Sequence, residues 1–397
     1  MGLPGVTINV ENGTLGSVSG TNDGITGMIL SGVAVAEQIA LNEPKQIFSL
    51  KEAEDLGLDE AYDAANGVDV YKQIKSFYSE GDSGLELWIM LVSQTVTLTE
   101  MADKTDANNA IKLLDAADGK IKVLAFSRVP DVSYVAVIVD GLDGDVFSAI
   151  TNAQSLADYY ASQMKPLRVV IAAREWTGVV SDLADLHERT DNRVVVSLLG
   201  LGEGNKNGDV GIILGRLASL PVQRNIGRVK DGSLSIETAY LTDGNTLESK
   251  ESGISAIYEK GYLFVRRYVG KSGYFFADDL TATSLTDDFS STARGRVIDK
   301  AISLAYATYI NEVNDEVSIN IDGTLPAAYV KALQAAVENS INQTMTAENE
   351  ISSVKCLIET NQNVLATNKL MVSLKIIPVG YTKEFEISLG FSNPLNN

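Results

Sequence analysis

Apolar residues alternate with polar ones at both ends of the chain and follow longer periods in between. Near the start, Val6, Ile8 and Val10 alternate with Thr7, Asn9 and Glu11, which predicts a short strand. Near the end, Leu370, Val372, Leu374 and Ile376 alternate with Met371, Ser373 and Lys375. After the break Pro378-Val379-Gly380-Tyr381, a second run sets Phe385, Ile387, Leu389 and Phe391 on one face and Glu386, Ser388 and Gly390 on the other. Period two predicts two half-buried strands there. Residues 12–24 hold Gly13, Gly16, Gly20 and Gly24 and almost no large apolar side chain, the pattern of a flexible tether. Fully extended, that tether reaches roughly 45 Å.

Between the ends the pattern predicts helices and strands in turn. A buried strand falls at 25–29, a helix opens at the capping box Ser49-Leu50-Lys51-Glu52, and another spans 69–78 before Gly81. A strong strand follows at 85–92. From about 106 the order is helix 107–117, strand 121–126, a second apolar run at 135–139 and helix 146–163. Strand 167–172, helix 179–187, strand 193–199 and helix 210–220 complete a layered α/β module. Residues 224–288 read as β-rich and loop-rich. Helix 293–310 follows a Ser-Ser-Thr cap, a second late helix runs from Pro326 to about 341, and a strand at 353–359 leads to the terminal pair.

Composition narrows the classes. The 397 residues exceed one compact core and predict two or three domains. A formal net charge of −20 repels phosphate backbones and anionic lipid, so neither nucleic acid nor membrane is an expected partner. The single cysteine, Cys356, rules out an internal disulfide framework and a thiolate-rich metal site. Residues 1–5 show no basic segment leading into an apolar run, so no export signal is expected, and no apolar stretch is long enough for a bilayer.

Candidate chemistry is sparse. The turn Gly200-Leu201-Gly202-Glu203-Gly204 follows an apolar strand, where a phosphate could be cradled. Asn205 stands in place of a third spaced glycine, Glu203 sets a negative charge in the turn, and no P-loop lysine follows in register. His187, the only histidine, has no nucleophile turn to serve. Asp278-Asp279 and Asp287-Asp288 lack the ligand spacing of a calcium loop. They are better read as solvated loop or as salt-bridge partners of a neighbour's arginines, and Arg266, Arg267, Arg294 and Arg296 could supply such inter-subunit charges as readily as ligand contacts. No catalytic, cofactor-binding or metal-binding residues are assigned, and no cofactor is expected.

Several stretches resemble the tail sheath proteins of contractile bacteriophages, in particular the divergent sheath-like family of Bacteroidetes phages and prophages. They are Arg266-Arg267-Tyr268-Val269-Gly270-Lys271-Ser272-Gly273-Tyr274-Phe275-Phe276-Ala277-Asp278-Asp279, Arg296-Val297-Ile298-Asp299-Lys300-Ala301, Gln362-Asn363-Val364-Leu365, Ile377-Pro378-Val379-Gly380-Tyr381 and Leu389-Gly390-Phe391. The turn Gly215-Arg216-Leu217-Ala218-Ser219-Leu220-Pro221-Val222 is similar to the point where a sheath chain re-enters its core.

The resemblance implies an α/β chain with an α+β core: N-terminal arm and tether 1–24, inner or middle sheath region 25–105, inserted outward-facing α/β domain 106–223, sheath core 224–382 and C-terminal arm 383–397. It implies a structural subunit, not an enzyme, that polymerises with itself in helical or stacked hexameric rings around a tail tube. Contraction would then drive the tube through the bacterial envelope. Tube, baseplate and tail terminator proteins are the implied partners, in a virion assembled in the host cytoplasm. Val6, Ile8, Val10, Phe385, Ile387, Leu389 and Phe391 would be inter-subunit strand arms; Gly13, Gly16, Gly20, Pro378 and Gly380 hinges; Glu348 and Glu350 tube-facing. A tailocin or injection-system sheath is the alternative in the same class. Outside it stand a nucleotide-binding enzyme using residues 200–204 and an adhesive surface protein.

Overall fold

A computed structural model describes residues 22–391. Val6, Ile8 and Val10, with Gly13, Gly16 and Gly20, lie outside the described residues. The chain falls into two compact units divided in sequence between Val313 and Asn314.

The first unit is built on one six-stranded sheet. Its strands are Thr26–Ser31 (β1), Lys45–Ile47 (β2), Leu87–Val92 (β3), Val123–Ser127 (β4), Arg168–Ala172 (β5) and Val194–Ser197 (β6), in the spatial order β2-β3-β1-β4-β5-β6. All neighbours are parallel except the edge strand β2, which runs antiparallel to β3. Parallel strands are covered on both faces, which is why β1, β4, β5 and β6 are continuous, fully buried runs rather than alternating ones. The module expected to begin at 106 does not have a sheet of its own. A buried strand needs a partner on each edge, and β1 finds Leu87–Val92 on one side and Val123–Ser127 on the other. The expected boundary at 105/106 therefore runs through the middle of one sheet.

Helices Val70–Glu80 (α1), Asp145–Ser162 (α2) and Gly211–Ser219 (α3) pack in this unit. α3 lies backbone-close on α1 because Gly211 and Gly215 carry no side chain. A Cβ at either would collide with the carbonyl oxygens of Gln73 and Phe77. Gln73 completes the seam: its carbonyl oxygen Oε1 accepts from the amides of Val210 and Gly211, and its Nε2 donates to Ser127 and the Gly208 carbonyl. Beside it, Asp209 accepts from Ile212 N at 3.1 Å and Ser76 Oγ at 2.8 Å, and burial pushes its carboxyl up to about 6.

One predicted helix is missing. Residues 179–187 form two single 3₁₀ turns, Val180–Asp182 and Leu186–Glu188, not an α-helix. The Lys260 ammonium takes the Leu183 carbonyl, and the Leu186 amide donates to the Lys260 carbonyl. Groups that a helix would use internally are thus committed to a distant segment.

Helix Thr292–Tyr309 (α4) is joined to the sheet by charge. Asp299 accepts from Arg168 Nε at 2.7 Å and from Arg193 at 3.0 Å, and burial pushes the Arg168 guanidinium below its usual range. Its predicted Ser-Ser-Thr cap works indirectly. Ser291 occupies the cap position with no side-chain bond to the helix, and Asp279 instead accepts from the first-turn amide of Ala293 at 2.8 Å.

The second unit packs helix Ala327–Ile341 (α5) on a two-stranded antiparallel sheet, Ile351–Leu357 (β7) with Ser373–Pro378 (β8). The predicted stripe on α5 is buried: Val330, Leu333, Val337 and Ile341. Glu338 accepts from the Cys356 amide at 2.6 Å, and Gln334 donates to the Cys356 carbonyl. Cys356 is a small buried residue in this seam.

Candidate assembly surfaces

Both predicted arms are anchored at their roots. Where the N-terminal segment enters the described structure, Arg296 donates to the carbonyls of Asp23 and Leu220 at 3.2 Å each, and Lys300 pairs with the Asp23 carboxylate at 2.8 Å. Gly24 lies against the Ala218 carbonyl so closely that a Cβ would stand 2.5 Å from it. In the second unit β8 closes on β7 in register from Leu357↔Ser373 to Ile351↔Pro378. Ser352 Oγ donates to the Pro378 carbonyl at 3.0 Å. Pro378 is therefore the last residue of a paired strand and not a hinge. Beyond it, Gly380 has no atom within reach of an added Cβ.

The terminal run is the main departure from half-buried pairing. The first of the two predicted strands sits at Ser373–Pro378 rather than 370–376. The second, with Phe385, Ile387, Leu389 and Phe391, forms no strand in this chain, and those four side chains are 74% exposed or more. The outer edges of β7 and β8 pair with no other strand among the described residues. A two-stranded sheet is marginal in water, and open edges are templates for another strand. One unit thus shows two open edges and one unpaired, alternating apolar tail.

The expected surface charges divide in two. Asp278 and Asp279 are buried and serve this chain. Asp279 accepts from Asn225 Nδ2 at 2.7 Å and Ser291 Oγ at 2.8 Å besides capping α4, and Asp278 accepts from Asn225 and from Tyr258 Oη at 2.9 Å. Arg296 is buried at the root described above. These three correct the inter-subunit assignment: carboxylates so deep persist only when saturated by internal donors. Arg266 and Arg267 do stand exposed on the hairpin Val265–Arg266/Phe275–Phe276. Arg266 covers the Tyr268 ring and Arg267 approaches Glu248 at 3.4 Å. Arg294 is half-buried. Glu348 is exposed, whereas Glu350 is buried beside a turn held by its amide on the Met345 carbonyl, so Glu350 is not a surface charge.

The residues just beyond the 200–204 turn are committed to this chain. Asn205 and Asn207, just beyond it, both donate to the Asp69 carboxylate at the start of α1. A cleft of about 590 Å³ opens there, with Glu60, Asp63, Asp69 and Glu175 facing Lys72, Lys75, Arg174 and Lys206. Lys72 is paired with Asp69 and Lys206 with Glu175. His187 Nδ1 lies 2.9 Å from the Thr283 carbonyl and is a structural link. Among the described residues no His, Cys, Asp and Glu group is placed to hold a metal ion, and no helix is long and apolar enough to cross a membrane.

One surface was not anticipated. The apolar run at 135–139 is turned outward. Ile138–Val139 pairs with Leu142–Asp143 through Asp140-Gly141, both at positive φ (46° and 79°). That is the backbone of a type I′ hairpin turn, and an Asp-Gly pair between apolar residues is its sequence signal. Val132 is fully exposed, Val135 82% and Val137 71%, with Ile138 and Val139 at 44% each.

The chain shares its fold with chains of solved contractile assemblies. A chain of the anti-feeding prophage baseplate superposes with a TM-score of 0.63 at 13% identity over 99% of both chains. The helical sheath of the same prophage in its contracted state gives 0.62 at 14% identity, again over 99% of both. The contracted sheath complex of the extracellular contractile injection system PVC gives 0.56 at 13%, over 100% of this chain and 99% of the other. No curated protein matches by sequence. The chain belongs to the DUF2586 family, whose N-terminal domain matches residues 3–280 and whose C-terminal domain matches 288–396.

Proposed function

We propose that this chain is the structural subunit of a contractile sheath, polymerising with itself around a tail tube. The reading is carried by the end-to-end fold likeness to chains of two contracted sheath structures, which extends over the second unit with its unpaired tail. Phe385, Ile387, Leu389 and Phe391 would add as a strand to an open edge of β7–β8 in a neighbouring copy, forming main-chain bonds between subunits. Val6, Ile8 and Val10 would do the same from the other end, on a tether whose root is held by Arg296 and Lys300. Such a head-to-tail contact need not close, so it builds helices or stacked rings. Contraction would move the units as rigid bodies, with Gly380 and the N-terminal glycines absorbing the rotation. Arg266, Arg267 and Arg294 are the charges left for contacts between subunits, and Glu348 for a tube-facing one. Tube, baseplate and terminator proteins are the partners of this reading, in a phage tail built in the host cytoplasm. An injection-system sheath is the second reading; the names of the similar structures favour it.

Negative-stain microscopy of the purified chain tests the proposal: hollow tubes or stacked rings are expected. Dispersed monomers at high protein concentration would sink it. Removing residues 383–397 should leave the thermal melt in place and abolish the tubes.

A further inference from the structure

The outward hairpin at 132–143 is built as a firm surface, not a loose loop. The Tyr134 ring lies 4.1 Å from the Arg128 guanidinium, and its hydroxyl donates to both Asp143 oxygens at 2.9 and 3.0 Å. Asp143 is paired with buried Arg174, and Arg128 with Asp145 at 3.0 Å. The Gly144 amide closes the base on the Val137 carbonyl at 2.9 Å. Five β-branched side chains are thereby held in water by a buried network underneath them. An exposed apolar edge with high β-propensity is a liability that a folded protein keeps only if something covers it.

We propose that this hairpin is a copy-to-copy contact: Val132, Val135, Val137, Ile138 and Val139 of one subunit are covered by a second copy of the same chain. The inference rests on the self-assembly reading above. Charge selects the occupant. No charged residue lies between Asp131 and Asp140, while the chain as a whole carries −20. Two copies that repel elsewhere can meet here without setting like charges together, whereas the flanking aspartates repel a polyanion or an anionic lipid surface. Size fixes the strength. The hairpin offers far fewer side chains than the roughly 20–30 residues a side of a stand-alone interface, so it reinforces an array that the terminal strands nucleate and makes no stable dimer alone.

The test places a photo-crosslinking amino acid at position 135 of the full chain and identifies crosslinked peptides before and after assembly. Intermolecular crosslinks to the same chain in tubes are expected. Val135→Asp with Val137→Asp should raise the concentration needed for assembly at least about tenfold with an unchanged thermal melt. Tubes that form normally from this variant, or crosslinks in tubes only within one chain, overturn the hairpin contact and leave the assembly reading intact. A chain that neither assembles nor crosslinks between copies at high concentration overturns both. Crosslinks only to a different protein assign the surface to that partner and overturn the proposal.

Discussion

The six-stranded sheet of the first unit and the two-stranded sheet of the second solve the same problem differently. In the first, every inner strand has partners on both edges and side chains buried on both faces. In the second, β8 is half-exposed along its length, both outer edges are open among the described residues, and an apolar tail follows that forms no strand. Each unit therefore gets its stability in its own way. The larger sheet buries four strands between two partners each, and the smaller has two strands only among the described residues.

Substitutions can break or sharpen that contrast. Ile171→Asp, which puts a charge into the centre of the buried sheet, should cost at least about 4 kcal/mol and unfold much of the protein, read by circular dichroism in urea. Asp279→Ala removes an acceptor shared by Asn225, Ser291 and the Ala293 amide, and should cost about 3 kcal/mol with the fold retained. Asp209 gives a pH signature. Its carboxyl titrates near 6 in the fold, above its ordinary value, so its contribution is full below about pH 4 and is lost as pH rises through 6. On the order of 2 kcal/mol should disappear across that window, and Asp209→Asn should flatten the slope in denaturation curves taken from pH 4 to 7. At the small end, Ile387→Asp should change the melt by less than about 0.5 kcal/mol. With assembly as the readout the order reverses: Ile387→Asp should abolish tubes, by electron microscopy. A large loss of monomer stability at Ile387, or normal tubes, would erase the distinction between the two sheets.

Much of this was legible along the chain, for local reasons. Ser49 caps its helix through Glu52, as the spacing indicates, and the α5 stripe from Val330 to Ile341 is buried as its period requires. Strands β1, β3, β4 and β5 fall within two residues of their apolar runs. The turn at 200–204 reads correctly as a connection, since nothing basic follows it in register. What misled was position relative to partners. Residues 135–139 and β6 are both valine-rich, yet β6 finds β5 and is buried while 135–139 turns back at Asp140-Gly141 and faces water. Asp278-Asp279 looks like solvated loop until Asn225, from more than fifty residues away, arrives to bind both carboxylates.

Short-range periodicity and capping placed most of the helices and the buried strands, though not the 179–187 segment, and gave both ends the alternation of donable strands. Only the tertiary structure decided that 25–92 and 123–197 share one sheet, that Asp279 and Arg296 work inside the chain, and that Phe385, Ile387, Leu389 and Phe391 stand unpaired. Burial and pairing are properties of the partner surface, and a chain's local pattern states what a segment can bury without stating against what.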